Sequence, residues 1–129
     1  MLSTWVQSKK DEEGFTLIEL LVVVIIIGIL AAIAIPVFLA QRERAWRSEM
    51  QSDLRNAAVS METYYTDNGI YDAAALTDGT FGFQASPDTT VGVTTVDPFQ
   101  EYCLQAVHTK LTAETWILGS GQALEQGTC

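Results

Sequence analysis

An unbroken apolar run constrains this 129-residue chain more than any other feature. From residue 20 to residue 35 every side chain is apolar or absent, and the run continues beyond Pro36 to Ala40. A helix of about 20 such residues crosses the ~30 Å hydrocarbon core of a bilayer, so the run predicts a membrane-spanning helix. Two residues do not suit a plain anchor. Glu19 places a carboxylate at the start of the run, and Pro36 removes a backbone donor near its end.

Glu19 needs a cation if it is buried, because an isolated ionised carboxylate is costly in apolar surroundings. No Lys or Arg lies between Phe15 and Ala40. An α-amine freed by cleavage before Phe15 would be the nearest cation, in the same chain or in a neighbouring one. The alternative is a carboxylate at the level of the lipid headgroups, in contact with water or protonated.

The residues Gly14-Phe15-Thr16-Leu17-Ile18-Glu19, with the apolar run and Ala31-Ala32-Ile33-Ala34-Ile35-Pro36, resemble the N-terminus of type IV prepilins and pseudopilins. The resemblance covers about residues 14–41. In that family a membrane peptidase cuts after the glycine, and the new N-terminal Phe is N-methylated. A Glu five residues into the mature chain is described as pairing with the N-terminal amine of a neighbouring subunit. The resemblance therefore implies cleavage between Gly14 and Phe15, methylation of Phe15 and an assembly role for Glu19.

Three segments follow from this resemblance. Residues 1–14 are interpreted as a leader peptide, residues 15–40 as the helix half that lies in the membrane or the filament core, and residues 41–129 as an extracytoplasmic domain. The leader holds Lys9 and Lys10, whereas three Arg follow the run, so the distribution of positive charge does not favour an N-terminus inside the cell. That orientation is implied by the resemblance alone. An ordinary secretory signal, with Ala32-Ile33-Ala34 as its cleavage site, is the competing interpretation.

The charge of the chain limits its partners. The formal net charge is −9, and without residues 1–14 the remaining 5 basic and 13 acidic residues leave −8. Such a surface repels phosphate backbones, so no direct binding of nucleic acid is predicted. We interpret Arg42, Arg44 and Arg47 as a solvated collar at the level of the headgroups.

Beyond the apolar run the pattern becomes that of an amphipathic helix. Its apolar side chains recur at steps of three and four, and they are Trp46, Met50, Leu54, Ala57, Ala58, Met61, Tyr64 and Tyr65. Charged residues, Asp53 among them, fall largely between these positions. Asp67-Asn68-Gly69 supplies a stop signal. One helix over residues 15–65 is predicted, about 75 Å long, and the apolar stripe of its second half needs a partner.

The partner is predicted to be a sheet. Residues 72–79 resemble a loop, and four short runs with β-branched and aromatic residues follow, at 80–85, 90–96, 102–109 and 115–118. Short connections between them favour antiparallel pairing, with one face of the sheet on the helix. The fold class is therefore α+β, a long N-terminal helix packed on a small antiparallel sheet. By resemblance this is the type IV pilin fold.

Two cysteines, Cys103 and Cys129, lie beyond the apolar run. An even number of cysteines in a domain outside the membrane predicts one disulfide, and only one pairing exists. Closing such a loop contributes about 3–4 kcal/mol in the chain-entropy model. The pairing is consistent with the C-terminal cysteine loop of many pilins, and it would hold the Gly-rich tail against the sheet.

No metal, cofactor or catalytic site is predicted. Two Cys and one His form no zinc pattern, and His108 is interpreted as an ordinary strand residue. Calcium binds to loop carboxylates in some pseudopilins of secretion systems, but no EF-hand spacing is present and we interpret the acidic loop residues as solvated. These residues are Asp67, Asp72, Asp78, Asp88 and Asp97. The chain holds no Gly-rich phosphate loop, nucleophile elbow or acid–base pair, so no enzyme is predicted.

The predicted function is that of a structural subunit of a type IV pilus. Its copies would form a homo-oligomeric surface filament for adhesion, motility or DNA uptake. The resemblance implies prepilin peptidase and the pilus assembly machinery as partners. It also implies a precursor held in the cytoplasmic membrane before the subunit enters an extracellular filament. Two alternatives stay open: a pseudopilin of a type II secretion or competence system, and a secreted or membrane-anchored binding domain.

The middle of the apolar run carries one further expectation. Gly28 and Pro36 both weaken a helix, and the family also carries a proline at the position of Pro36. The helix is therefore expected to bend or lose hydrogen bonds around these residues when the subunit leaves the bilayer.

Overall fold

The computed structural model describes residues 14–77 and 81–129, apart from the side chain of Val96. Apart from Gly14, the predicted leader lies outside the described residues, as do Asp78 and Thr80. The chain divides into two compact units, one ending at Ala40 and the other running from Gln41 to Cys129.

The first element, α1, is a single 52-residue helix over Leu17–Asn68 that contains Pro36. It ends three residues later than predicted, at the stop signal itself. Gly69 has a φ of 73°, and its backbone N–H donates to the carbonyl of Tyr65 at 2.7 Å. This is the left-handed cap that glycine makes without steric cost, and it satisfies one of the last carbonyls of the helix.

Four strands form one antiparallel sheet in the order β1-β2-β3-β4. They are β1 (Thr89–Asp97), β2 (Glu101–His108), β3 (Thr115–Gly119) and β4 (Glu125–Gln126). The first three confirm the strands predicted over 90–96, 102–109 and 115–118. In β2 the buried residues alternate with more exposed ones, so one face of the sheet covers a core and the other does not.

Three local predictions differ from the structure. The predicted strand over 80–85 is wrong for its described residues, 81–85, which pair with no strand. Gly82 has a φ of 72°, a left-handed backbone that interrupts an extended run. In the predicted loop over 72–79, Ala74–Thr77 forms the one-turn helix α2, and Asp72 Oδ1 accepts from Ala74 N at 2.8 Å. The two-residue strand β4 lies in the tail, where no strand was predicted.

The core of the second unit lies between the amphipathic half of α1 and the inner face of the sheet. Its buried members are Met50, Leu54, Ala57, Met61, Tyr71, Ala75, Tyr102, Leu104 and Ala106. The four from α1 belong to the predicted apolar stripe, so the structure confirms that the sheet is the partner of this stripe. The remaining stripe residues, Trp46, Ala58, Tyr64 and Tyr65, are half-buried at its margins.

Asp53 corrects the predicted polar face of the helix, because it is only 4% exposed. Its carboxylate accepts from the backbone N–H of Ser86 at 2.8 Å and from the Ser86 hydroxyl at 3.0 Å. About two turns farther along α1, Ser60 Oγ donates to the carbonyl of Phe81 at 3.2 Å. These polar contacts hold the segment 81–86 on the helix, which explains why this segment needs no strand partner.

Candidate functional site

The start of α1 is closed by a reciprocal pair of hydrogen bonds. The backbone N–H of Thr16 donates to Glu19 Oε2 at 2.9 Å, and the backbone N–H of Glu19 donates to Thr16 Oγ1 at 3.3 Å. Thr16 is thus the N-cap and Glu19 the third helical residue of a Thr-x-x-Glu capping box, which satisfies two otherwise unpaired donors. The same carboxylate lies where the positive end of the helix dipole favours negative charge.

The predicted cleavage junction precedes this cap. Gly14 is exposed with a φ of 34°, and the side chain of Phe15 is 81% exposed. Neither residue is helical. Exposed backbone outside a helix is the form that a peptidase can bind and cut, and cutting would leave Phe15 one residue before the N-cap.

Large apolar side chains cover the first half of α1 on every side. From Leu17 to Leu39 each of them is exposed by 48–88%. By length and composition α1 is the one described helix that could cross a membrane. A surface of this extent is not stable in water and requires lipid or other apolar helices around it. Gly28 and Pro36 lie within this half, and the helix is continuous through both.

Cys103 and Cys129 form a disulfide across 26 residues. Cys103 lies on β2 between the buried residues Tyr102 and Leu104, so it belongs to the outer face of the sheet. The backbone N–H of Cys129 donates to Gln105 Oε1, also on that face, at 3.3 Å. The C-terminal tail is therefore fastened to the outer face.

Ionic contacts fasten the loop between β2 and β3 to α1. Arg47 donates from Nε to Glu114 Oε2 at 2.7 Å and from Nη2 to Glu114 Oε1 at 2.6 Å. This two-pronged contact lowers the pKa of Glu114 from its ordinary value of 4.5 and raises the pKa of Arg47. A second ionic contact joins this loop to the residue before β1, since Lys110 Nζ donates to Asp88 Oδ2 at 3.1 Å and lowers the pKa of Asp88.

His108 is the last residue of β2, a strand residue as predicted, and none of its surface is exposed. Its ring stacks on the ring of Trp46, with 5.5 Å between the two centroids. The guanidinium of Arg42 lies over the Trp46 ring, 5.2 Å from its centroid. His108 Nδ1 accepts from the backbone N–H of Lys110 at 3.1 Å. These contacts make His108 a packing residue between β2 and the part of α1 that carries Trp46.

Glu62 joins two tyrosines at the opposite end of the core. Its carboxylate accepts from Tyr71 OH at 3.2 Å and from Tyr102 OH at 3.3 Å. Burial, followed by the charge of Glu62, raises the pKa of both phenols. The tyrosines therefore stay protonated donors, and the contact is structural.

Among residues 14–77 and 81–129, no three His, Cys, Asp or Glu side chains are grouped as metal ligands. The acidic loop residues Asp72 and Asp97 instead accept from backbone N–H groups two residues further on, at 2.8 Å each. Asp78 lies outside the described residues. In the described part of the chain, the features most suited to a function are the capped start of α1 and its exposed apolar half.

Comparison with known proteins agrees with this location. A family model described as the prokaryotic N-terminal methylation motif matches residues 9–35. The major component of the type IV wide pilus of Thermus thermophilus, PilA4, is 35% identical over 99 residues, which are 77% of this chain and 76% of that protein. The chain belongs to the type IV pilin family. Because that alignment is longer than the 68 residues up to the end of α1, it extends into the region that forms the sheet.

Two further relatives of the pilin chain match over shorter stretches. Fimbrial protein EcpC of Eikenella corrodens is 42% identical over 65 residues, 50% of this chain and 42% of that protein. Type II secretion system core protein G of Pseudomonas aeruginosa is 36% identical over 63 residues, 49% of this chain and 44% of that protein. These relatives are structural subunits by name, and none is named as an enzyme.

The contact between Thr16 and Glu19 was not predicted from the sequence. The hydroxyl and the backbone N–H of Thr16 both position Glu19. The Thr-x-x-Glu spacing before an apolar run is a recognised helix-start signal and would have identified this contact.

Proposed function

We propose that this pilin is the structural subunit of a type IV pilus, assembled through its apolar helix half into a surface filament. The observation that supports this most directly is the exposure of every large apolar side chain from Leu17 to Leu39 on a helix that begins with a carboxylate. A lipid anchor explains the apolar surface but gives the charge of Glu19 no role beyond capping α1. A bundle of identical helices explains both.

We propose a specific role for Glu19 in that bundle. Cleavage between Gly14 and Phe15 would free an amine, and methylation of Phe15 would leave that amine positively charged. The capping box occupies Glu19 Oε2, and no hydrogen bond involves Oε1 in the described part of the chain. Oε1 is thus available for the amine of a neighbouring copy. The pairing would remove an unpaired buried charge and would also fix the stagger between adjacent helices.

We place the precursor in the cytoplasmic membrane with residues 1–14 inside, where prepilin peptidase would cut it, and the filament outside the cell. Residues 41–129 would then be extracytoplasmic, which suits a disulfide between Cys103 and Cys129. The pilus assembly machinery would draw the subunit from the bilayer. Adhesion, motility or DNA uptake would follow from the filament rather than from a site on one subunit.

Intact-mass analysis of filaments sheared from cells tests this function. The expected mass is that of a chain that begins at Phe15, carries one methyl group and contains the disulfide. A chain that begins at Ile35, or one that keeps Met1, would mean that the apolar run is a secretory signal or a simple anchor. Either result would overturn the filament function in favour of a binding domain.

A pseudopilin of a secretion system is the second candidate, supported by the match to core protein G. It shares the cleavage, the methyl group and the helix bundle. The two functions differ in where the polymer ends. Long filaments recovered from the medium, with normal protein secretion in a deletion strain, support the pilus. A short polymer confined to the envelope, with lost secretion, supports the pseudopilin.

We further propose that α1 loses helical hydrogen bonds between Gly28 and Pro36 when the subunit enters the filament. Pro36 lacks a backbone donor, and Gly28 has the weakest helix propensity of the non-proline residues. Amide exchange in assembled filaments is expected to be fast in this segment and slow in residues 17–27. Uniform protection across both segments would contradict the proposal.

A further inference from the structure

A buried histidine lies where three segments of the second unit meet. His108 is the last residue of β2, and none of its surface is exposed. Its ring stacks on Trp46 of α1, and its partner across the sheet is Thr89 at the start of β1. The loop over residues 109–114 begins directly after it. His108 is the single histidine of the chain, so its ring is the one imidazole that can respond to pH.

One hydrogen bond fixes which ring nitrogen of His108 carries the proton. Nδ1 accepts from the backbone N–H of Lys110 at 3.1 Å, so Nδ1 has a free lone pair and no proton. The single proton of the neutral ring is therefore on Nε2. Nε2 is buried and makes no hydrogen bond within residues 14–77 and 81–129. Glu49 Oε2 lies 3.8 Å from it, which is beyond hydrogen-bond distance. The neutral ring thus leaves a buried donor unpaired, which is unfavourable.

The start of the loop depends on the ring through one amide alone. Thr109 N donates to the carbonyl of Asp88 at 2.9 Å, and Leu111 N donates to the carbonyl of His108 at 3.0 Å. Backbone carbonyls do not titrate. Among the first three amides of the loop, only that of Lys110 has an acceptor whose protonation can change.

A second proton on the ring would change its two contacts in opposite directions. The imidazolium carries an N–H on each nitrogen, so Nδ1 would face the N–H of Lys110 with a donor instead of an acceptor. That hydrogen bond would be lost. Nε2–H would become part of a cation, and its attraction to Glu49 would increase.

Two carboxylates lie near the ring. Glu49 reaches it from α1, and no other ion pair of Glu49 is found in the described part of the chain. Asp88, which precedes β1, is close enough for electrostatic attraction to a protonated ring, although Lys110 is its main partner. Both carboxylates would attract an imidazolium, so a charged ring would not be left unpaired in this buried site.

The cations of this part of α1 are held by other groups. Arg42 lies over the ring of Trp46, and Arg47 pairs with carboxylates of its own. The neighbouring strand β3 carries no charged residue. Glu49 is therefore the charged group of α1 that is best placed to pair with a protonated His108.

We infer that protonation of His108 releases the start of the loop over residues 109–114 and pairs the ring with Glu49. The neutral ring accepts from Lys110 and leaves Nε2–H unpaired, whereas the charged ring donates to Glu49 and no longer accepts from Lys110. The two protonation states satisfy different groups, which is the requirement for a switch between two arrangements. Imidazole ordinarily changes charge between about pH 5 and 8, so acid surroundings would release the loop. This inference concerns the fold of residues 41–129 and does not rest on the proposed filament function.

Nuclear magnetic resonance of the full chain in detergent, with ¹⁵N in the backbone and in the histidine ring, tests the switch. At neutral pH the ring proton is expected on Nε2. As the ring becomes charged in acid, hydrogen exchange of the Lys110 amide, corrected for the intrinsic effect of pH, should accelerate by about tenfold or more. The Thr109 amide is the internal control and should change by less than about twofold. A proton on Nδ1 at neutral pH, or a Lys110 amide that stays protected while the ring is charged, would overturn the inference.

Variants of the carboxylates test the second half of the switch. Glu49→Gln removes the anion and keeps the shape of the side chain, so the titration of the ring should move to lower pH. Glu43→Gln is the matched control, because it removes a carboxylate of the same helix that pairs with Arg47, and it should leave the midpoint unchanged. Equal midpoints in Glu49→Gln and the native chain would contradict the pairing and overturn the inference. His108→Gln, which cannot become charged, should abolish the acid response of Lys110, and a response that persists in this variant would assign it to another group.

Discussion

The two halves of α1 have the same backbone structure and opposite surroundings. Every buried residue of the helix lies at or beyond Met50, where the sheet or the segment 81–86 of the same chain covers it. The first half, from Leu17 to Leu39, exposes all its large apolar side chains. The second half is thus stabilised by the folding of its own chain. The first half needs lipid or other copies of the chain to cover its apolar surface. Substitutions in the two halves should therefore affect different measurements.

Glu19→Ala is expected to have the largest effect, and only on assembly. Without the carboxylate, the amine of a neighbouring Phe15 would be buried without a partner, at a cost of about 3–5 kcal/mol per contact. The yield of sheared filaments should fall by about two orders of magnitude or more. Thermal unfolding of residues 41–129, followed by near-UV circular dichroism of the full chain in detergent, should not change.

Glu19→Gln separates charge from capping. Glutamine can replace glutamate in a capping box with Thr16, so this variant keeps the cap and loses the negative charge. It should assemble as poorly as Glu19→Ala. Normal filament yield from Glu19→Gln would mean that helix capping, rather than charge pairing, is the function of Glu19.

Leu54→Ala should have the opposite effect to the substitutions at Glu19, because it should weaken the fold of residues 41–129. Leu54 is fully buried between α1 and the sheet, so its truncation should cost about 2–5 kcal/mol of the free energy of unfolding. Leu30→Ala removes the same atoms from a side chain that is 60% exposed, and should leave the unfolding of the second unit unchanged. Equal losses in the two variants would show that the helix halves do not fold independently.

The sequence predicted the features of this pilin that follow from periodicity and composition. These include the helix, its apolar stripe and three of the strands. It failed where a few polar contacts decide the structure. Asp53 was predicted on the polar face because its charge outweighed its position, whereas the structure satisfies its carboxylate with Ser86. The strand predicted over 80–85 failed for the same reason, since β-branched and aromatic content does not reveal that helix side chains hold this segment.

Asp53→Ala tests that polar contact and should have an intermediate effect. It removes the acceptor for the backbone N–H and hydroxyl of Ser86 and leaves a partly buried donor unpaired, at a cost of about 1–3 kcal/mol. Limited proteolysis should then cut within residues 81–86 of the variant and should leave this segment uncut in the native protein. Ser86→Ala, which keeps the backbone donor, should cost less. A native cleavage pattern in Asp53→Ala would mean that Asp53 does not hold this segment.

Glu114→Gln should have the smallest effect, and one that depends on pH. Because Arg47 lowers the pKa of Glu114 in the folded protein, folding favours the ionised carboxylate. Its contribution is fully present above the ordinary pKa of 4.5 and is lost as pH falls through the lowered folded value. The variant should therefore unfold at a slightly lower temperature than the native protein at neutral pH, and the difference should vanish in acid below that lowered value. Glu101→Gln, whose carboxylate makes no ion pair in the described structure, is the matched control and should unfold at the same temperature as the native protein at neutral pH. A difference for Glu114→Gln that persists unchanged into acid would mean that packing, rather than the charge of Arg47, holds this loop on α1.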